Sequence, residues 1–187
     1  MISKDIKSKR FKPTRKSLFY NHKIEVRMSS IDGYGVFAKE DIKKGEILEE
    51  CHLIDVNLPR HPYVFMYPKG GNNLGGRHNG ESIIVLPSGN GFIYNTSEDY
   101  IGANATWITI YGLMTFVSIK DIKKDEEILT NYANFFKYGM HGKKGPKMTQ
   151  AEADYNVKMD KFAENAIIKQ RPIPINHRKF KPKPTKK

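Results

Sequence analysis

The sequence predicts a mainly β fold of short strands and hairpins, completed by one C-terminal α-helix. Two patterns and the chain length carry that prediction. Between Ile24 and Leu129 apolar residues alternate with polar ones or stand in short runs. Gly, Pro, Asn and Asp separate the runs, as in half-buried strands joined by turns. Further on, Thr149 and Glu152 form a capping box, and Tyr155, Met159, Phe162 and Ala166 recur at helical spacing as one apolar stripe. At 187 residues the chain can bury one core and is too short for two comfortable ones.

The elements follow in order. Residues 1–23 carry charge, Pro13 and no sustained apolar period, so a disordered basic arm is expected. The core is expected over residues 24–138. "IEVRM" opens it as an alternating strand, and "DGYG" supplies turn chemistry at Asp32 to Gly35. "VFAKEDIKKGEILEE" then reads as strand, turn and strand with Gly45 at the tip, a β meander. After Pro59 and Pro62, "YVFMY" offers a short aromatic strand or a turn of helix. "PKGGNNLGGRHNG" reads as a flexible loop, and with no GK[ST] behind its glycines it does not read as a phosphate loop.

"ESIIVLPSGNGFIYN" is a strand, a tight turn and a short apolar run, and "NATWITIYGLMTFVSI" carries two strands around Gly112. "DIKKDEEIL", from Asp121, repeats the earlier "DIKKGEIL", from Asp41; both read as solvated lysine-rich turns between strand ends. Residues 139–170 hold the helix, at about 149–168, which Pro172 and Pro174 end. Residues 171–187 read as a basic, disordered tail.

Composition narrows the functional classes. The single cysteine, Cys51, excludes an internal disulfide framework and a cysteine-rich zinc cluster, and it suits a reducing compartment. The longest apolar stretch, around "YGLMTFVSI", is too short to cross a bilayer. A soluble intracellular protein is therefore expected, in the cytoplasm or a host nucleus, with no membrane partner and with a homodimer left open. The net charge of +12 is unevenly placed: residues 1–23 hold eight basic and one acidic side chains, residues 137–187 fourteen and four. The middle keeps ten basic and fifteen acidic. Basic flanks can grip nucleic-acid phosphates nonspecifically or serve solubility alone, whereas an acidic middle favours a cationic ligand or a basic peptide.

The six histidines show no ligand spacing with one another or with Cys51, nothing resembles HExxH, and no G-x-S-x-G elbow is present, so no metal site is expected. The acidic pairs Glu49–Glu50 and Glu126–Glu127 flank turns and read as solvated faces. What remains is a set of small and aromatic polar groups at strand ends: "GYG", "YNTS", "GANA" and "TNYANFF".

In that order, over Ile24 to about Tyr138, the chain resembles the SET-domain family of protein-lysine methyltransferases, which has a β-clip fold. "GYGVFAKEDIKKGEIL" matches the family's opening G-x-G turn and "DI.KGE" phrase. "FIYNTSEDYIGANA" stands for its central Asn-His-Ser run and Pro-Asn pair. "DIKKDEEILTNY" matches its closing phrase and tyrosine. The compact viral and bacterial members are the nearest in type, because the cysteine cluster that follows many eukaryotic members is absent.

The resemblance implies S-adenosyl-L-methionine as cofactor, with Gly33, Tyr34, Gly35, Tyr94, Asn95, Thr96 and Phe136 around it and Tyr132 at the methyl-transfer centre. Tyr63, Trp107 and Thr130 would line the channel for the substrate lysine. The substrate would be a basic protein, histone-like or ribosomal. By residue type alone, Asn95 could equally make an Asx-turn, Tyr132 pack at a strand end, and Trp107 sit in the core. Two departures stand out: Thr96 where the family has histidine, and Gly102 or Ala103 where it has proline before Asn104. A basic-armed nucleic-acid or partner-binding module, or a SET-like domain that binds cofactor without catalysis, are the alternative readings.

Overall fold

The computed structural model describes residues 16–55, 65–68, 82–97, 101–110, 113–131 and 149–172, among which are seven strands and one helix. The strands β1 (Ile24–Met28) and β2 (Tyr34–Ala38) form an antiparallel ribbon, registered from Ile24 opposite Ala38 to Met28 opposite Tyr34. Its turn is closed by the Ser29 N–H donating to the Gly33 carbonyl at 3.0 Å. Gly33 takes φ +46°, a conformation open to glycine at little cost.

The second sheet has β3 (Ile47–Asp55), β4 (Phe65–Pro68), β5 (Ser82–Pro87), β6 (Ala105–Ile110) and β7 (Leu113–Ser118) in the order β4-β5-β3-β7-β6. Every pairing is antiparallel. The fold is mainly β with a C-terminal helix, as the sequence predicts, and "FMYP" is a strand.

The expected meander across Gly45 is not a hairpin. β2 pairs with β1, while β3 pairs with β5 and β7, so the lysine-rich turn joins two different sheets. The reason lies in the repeated phrase. Ile42 and Ile122, both fully buried, exchange backbone hydrogen bonds at 2.9 Å in each direction. Asp121 accepts from the Lys44 N–H at 2.8 Å, and Asp41 reciprocally accepts from the Lys124 N–H at 3.0 Å and from Lys123 Nζ at 2.9 Å. The two copies clasp each other rather than serving as separate solvated tips. The lysine beside Asp41 holds its carboxyl below the usual range. Asp125, which replaces the glycine of the first copy, takes φ +67° where Gly45 takes +91°. The second copy continues as isolated bridges at Glu127 and Thr130, not as a regular strand.

The five-stranded sheet buries both faces. Cys51, Leu53, Met114, Phe116 and Ala105 pack with Ile24, Val36, Ile42, Ile122 and Ile128 in one core. Ile47, Ile108, Ile110 and Val117 face the helix α1 (Gln150–Gln170) through Ala163 and Ile167. Each such aliphatic side chain contributes about 1.5–3 kcal/mol of burial. The Thr149–Glu152 capping box is present. The buried row on the helix is Met159, Ala163 and Ile167, so the expected stripe of Tyr155, Phe162 and Ala166 lies beside it, half-buried.

Contacts also extend beyond the expected core. The Phe19 N–H donates to Glu50 at 3.0 Å, Tyr20 bridges to Glu49, and the Asn21 N–H donates to the Leu48 carbonyl at 2.9 Å. Residues 17–21, assigned from sequence to the arm, therefore pack on β3. Arg171, assigned to the tail, caps α1 and pairs with Glu50 at 3.0 Å. Glu49 and Glu50 are buried, not solvated, because β3 is a central strand covered on both faces.

Candidate active site

Residues 126–131 run through the centre of the molecule and are stitched on both sides. Toward β2, the Ala38 N–H donates to the Glu126 carbonyl at 3.0 Å and the Ile128 N–H to the Val36 carbonyl at 2.7 Å. On the other side the Thr130 N–H donates to the Asn95 carbonyl at 2.9 Å and the Ser97 N–H to the Thr130 carbonyl at 3.2 Å, a parallel bridge of Thr96 with Thr130.

Asn104 locks the same segment from beneath. Its Nδ2 donates to the Glu127 carbonyl at 2.8 Å, its Oδ1 accepts from the Leu129 N–H at 2.8 Å, and its own N–H donates to the Leu129 carbonyl at 3.1 Å. A side chain only 4 % exposed thus satisfies backbone groups that would otherwise be buried without partners.

Above this segment the "GYG" turn, Asn95 of "YNTS" and Glu127 of the second lysine-rich phrase meet. Asn95 Nδ2 donates to the carbonyls of Asp32 at 3.2 Å and Tyr34 at 3.3 Å and to Glu127 Oε1 at 2.8 Å. Glu127 Oε2 accepts from Ser29 Oγ at 2.9 Å. Gly35 is buried directly over the Glu127 carboxylate, so a side chain there would strike Oε1 and lie 3.1 Å from Asn95 Nδ2. That close approach is what the second glycine of "GYG" supplies. At Gly33, by contrast, no described atom lies within 4 Å of where a Cβ would stand, and Tyr34 is 63 % exposed. The turn presents an open edge with a carboxylate behind it.

A family model for the SET domain matches residues 33–133, more than half of the chain. The chain belongs to the SET-domain family. Among solved structures, a Plasmodium falciparum protein assigned as a histone methyltransferase is 31 % identical, with 59 % of this chain and 92 % of that one covered and a TM-score of 0.45. The methyltransferase domain of human PR domain-containing protein 2 is 15 % identical over 68 % of this chain and 83 % of its own, at a TM-score of 0.46. The SET domain of the RIZ1 tumor suppressor is 13 % identical over 77 % and 82 %, at 0.48. No curated protein sequence matches.

Within this SET domain the sequence-named residues fall into three groups. Gly33, Tyr34, Gly35, Asn95, Thr96 and Thr130 come together as described. Thr130 is fully buried, and among the described residues its hydroxyl has no hydrogen-bond partner. The Thr96 hydroxyl donates to the Ser97 carbonyl at 3.3 Å. Tyr94 and Trp107 point elsewhere. Tyr94 is 1 % exposed and stacks on Phe116 with ring centroids 4.3 Å apart, and burial, with the Glu49 carboxyl nearby, pushes its hydroxyl well above the ordinary tyrosine range. Its side chain is thus a core element, and only its backbone lies beside Asn95. Trp107 packs edge-on to Phe65 at 5.3 Å against the same core. Tyr63, Tyr132 and Phe136 lie outside the described residues, although Asn131 leads directly into Tyr132.

Glu127 was missed by sequence reasoning, and Asn104, named there as the asparagine of the "GANA" run, was given no role. Glu127 sits in a turn-flanking acidic pair that reads as solvated, and only its contact with Asn95 reveals its place. A lone polar residue between Ala103 and Ala105, just before a strand, was the available signal for Asn104. Two carboxyls raised by partial or full burial complete the electrostatics. Burial pushes Glu49 up, opposed by the Asn90 N–H and the Tyr94 and Cys51 side chains. Burial likewise pushes Asp160 of α1, whose partner is the Thr106 hydroxyl, up to about 6.

Proposed function

We propose that this SET domain is an S-adenosylmethionine-dependent protein-lysine N-methyltransferase that acts on a basic protein, histone-like or ribosomal. The observation that carries the reading is the junction at Asn95. One amide ties the "GYG" turn to Glu127, and the strand paired beside it leads into Asn131 and Tyr132. The residues present fit such a cofactor: the edge at Gly33 is open among the described residues, and the Glu127 carboxylate suits a cationic sulfonium nearby.

When bound, the cofactor supplies an activated methyl, transferred to an amine by in-line displacement. Gly33, Tyr34 and Gly35 would hold it largely through backbone groups. The Asn95 side chain would orient it, the Thr96 backbone would meet the adenine, and Phe136 would cover that ring. Tyr63 and Thr130 would line the lysine channel. The amine must be neutral to attack, which costs about 4–5 kcal/mol at pH 7 from a free pKa near 10.4, and a desolvated channel beside a cation lowers that cost. Tyr132 would orient the amine through its hydroxyl. Removing that hydroxyl should cost about a hundredfold or more in rate, as for other preorganised donors.

The test incubates the protein with methyl-labelled cofactor and a mixture of histones and ribosomal proteins, alongside Tyr132→Phe. Transfer lost in the variant supports the reading; no transfer together with no cofactor binding by calorimetry overturns it. Thr96 in place of histidine favours a second reading, a domain that binds cofactor without catalysis, and binding without turnover on any lysine would select it.

A further inference from the structure

The strand β1 has one open edge. Its ladder to β2 is fixed at both ends: the Ser29 N–H donates to the Gly33 carbonyl at 3.0 Å and the Lys39 N–H to the Lys23 carbonyl at 2.7 Å. Bonded pairs alternate along an antiparallel ladder, so in this register Glu25 and Arg27 spend their backbone groups on Phe37 and Gly35. Val36 and Ala38, opposite Val26 and Ile24, turn theirs to residues 125–128 instead. The N–H and C=O of Val26 and Met28 therefore point away from the ribbon, where they take no hydrogen bond among the described residues. At the end of that edge the Ile24 N–H is held by the Asn21 carbonyl at 3.3 Å, and the Ile24 carbonyl accepts from Tyr20 at 3.5 Å.

The side chains along this edge are apolar and uncovered. Met28 is 80 % exposed, and Val26, Ile31 and Tyr34 are exposed beside it. Glu25 and Arg27 occupy the other face of the strand, both part-exposed, with Arg27 over the Phe37 ring at 4.4 Å. The five residues "IEVRM" are symmetric about Val26: apolar at both ends, charged on either side of the centre, the two charges opposite in sign.

We propose that β1 pairs antiparallel with β1 of a second copy of this chain, about a two-fold axis at Val26. In that register the two Val26 residues exchange both backbone hydrogen bonds, and each Met28 N–H meets the Ile24 carbonyl of the other copy, which has a second lone pair to offer. Each Glu25 stands opposite the other copy's Arg27, and each Met28 opposite its Ile24, so charge meets opposite charge on one face and apolar meets apolar on the other. Moving the axis by one residue, to Glu25 or to Arg27, sets two like charges directly against each other. The charge pattern thus selects one register and selects a second copy as the occupant. The contact is isologous and closes after two chains, joining two ribbons into a four-stranded sheet. The proposal does not rest on methyl transfer.

Sedimentation equilibrium of the full chain from about 1 to about 500 μM tests it. The mass should rise from one chain toward two. Glu25→Arg and Arg27→Glu each put two like-charged pairs across the seam, and each should weaken self-association about tenfold or more. An equimolar mixture of the two variants restores opposite charges at both pairs and should associate about as tightly as the unaltered chain. Val26→Pro removes the central donor on the open side while sparing the ladder to β2, and should leave the chain single. Thermal melting confirms that each variant folds. An unaltered chain that stays single throughout, as it would if the edge were kept for another protein's strand, overturns the proposal. Self-association that Glu25→Arg or Val26→Pro leaves unchanged overturns it as well, and so does a mixture that fails to associate.

Discussion

Replacing Gly35 by alanine should break the site from below. An added methyl would meet Glu127 Cδ at 2.8 Å, run into its Oε1 and stand 3.1 Å from Asn95 Nδ2. Gly35 is not among the residues with positive φ, so the cost is steric rather than conformational. The carboxylate must swing aside, which gives up its bonds from Asn95 at 2.8 Å and from Ser29 at 2.9 Å. Each is charge-assisted and worth about 1.5–3 kcal/mol, so Gly35→Ala should cost about 3–5 kcal/mol once partial rehydration is allowed for.

Glu127→Ala removes the obstacle along with the bonds. The double variant should then be about as stable as Glu127→Ala alone, a coupling of about 3–5 kcal/mol. Urea melts of the four proteins, followed by circular dichroism, measure it. If Gly35→Ala costs the same in both backgrounds, Glu127 does not lie under the turn and the account of the site is wrong.

Three further outcomes are expected. Arg171→Ala leaves Glu50 buried without its cation and should cost about 3–5 kcal/mol, whereas Glu50→Leu with Arg171→Leu should recover most of that in the same melts. Gly45→Ala places a side chain at φ +91° and 3.3 Å from the Phe162 ring, and should lower stability by about 1–2 kcal/mol. Asp160, with a carboxyl raised from 3.8 to about 6, holds its proton more tightly when folded. Its favourable contribution is complete below about pH 4 and is lost as pH rises through 6, a penalty of at most about 3 kcal/mol above neutrality. Asp160→Asn should therefore raise the melting temperature at pH 7.5 and change it little at pH 4.

Elements fixed by neighbouring residues were legible in the sequence. β1, the β6–β7 pair and the capping box of α1 each rest on patterns a few residues wide, and each is found. The partners of β2 and β3 were not legible, because a turn between two strands looks the same whether the strands pair or part. What parts them is a contact between Ile42 and Ile122, which no local window contains. The same holds at the site. "GYG" and Asn95 carry motif signals, but Glu127 and Asn104 acquire their roles from segments remote in sequence. Burial also misled the reading of Glu49, Glu50 and Tyr94: charged and aromatic polar groups on a central strand and its neighbouring turn were placed at the surface or the ligand when they belong to the core.

The mutual clasp of the two lysine-rich phrases has a kinetic consequence. Its reciprocal aspartate caps join residues 77 and 83 positions apart, so it can close only after the intervening sheet has assembled, a contact of high sequence separation. The clasp would then behave as a folding checkpoint. The amides of Ile42 and Ile122 should exchange with solvent only through global unfolding, and loosening either aspartate should speed unfolding more than it slows folding.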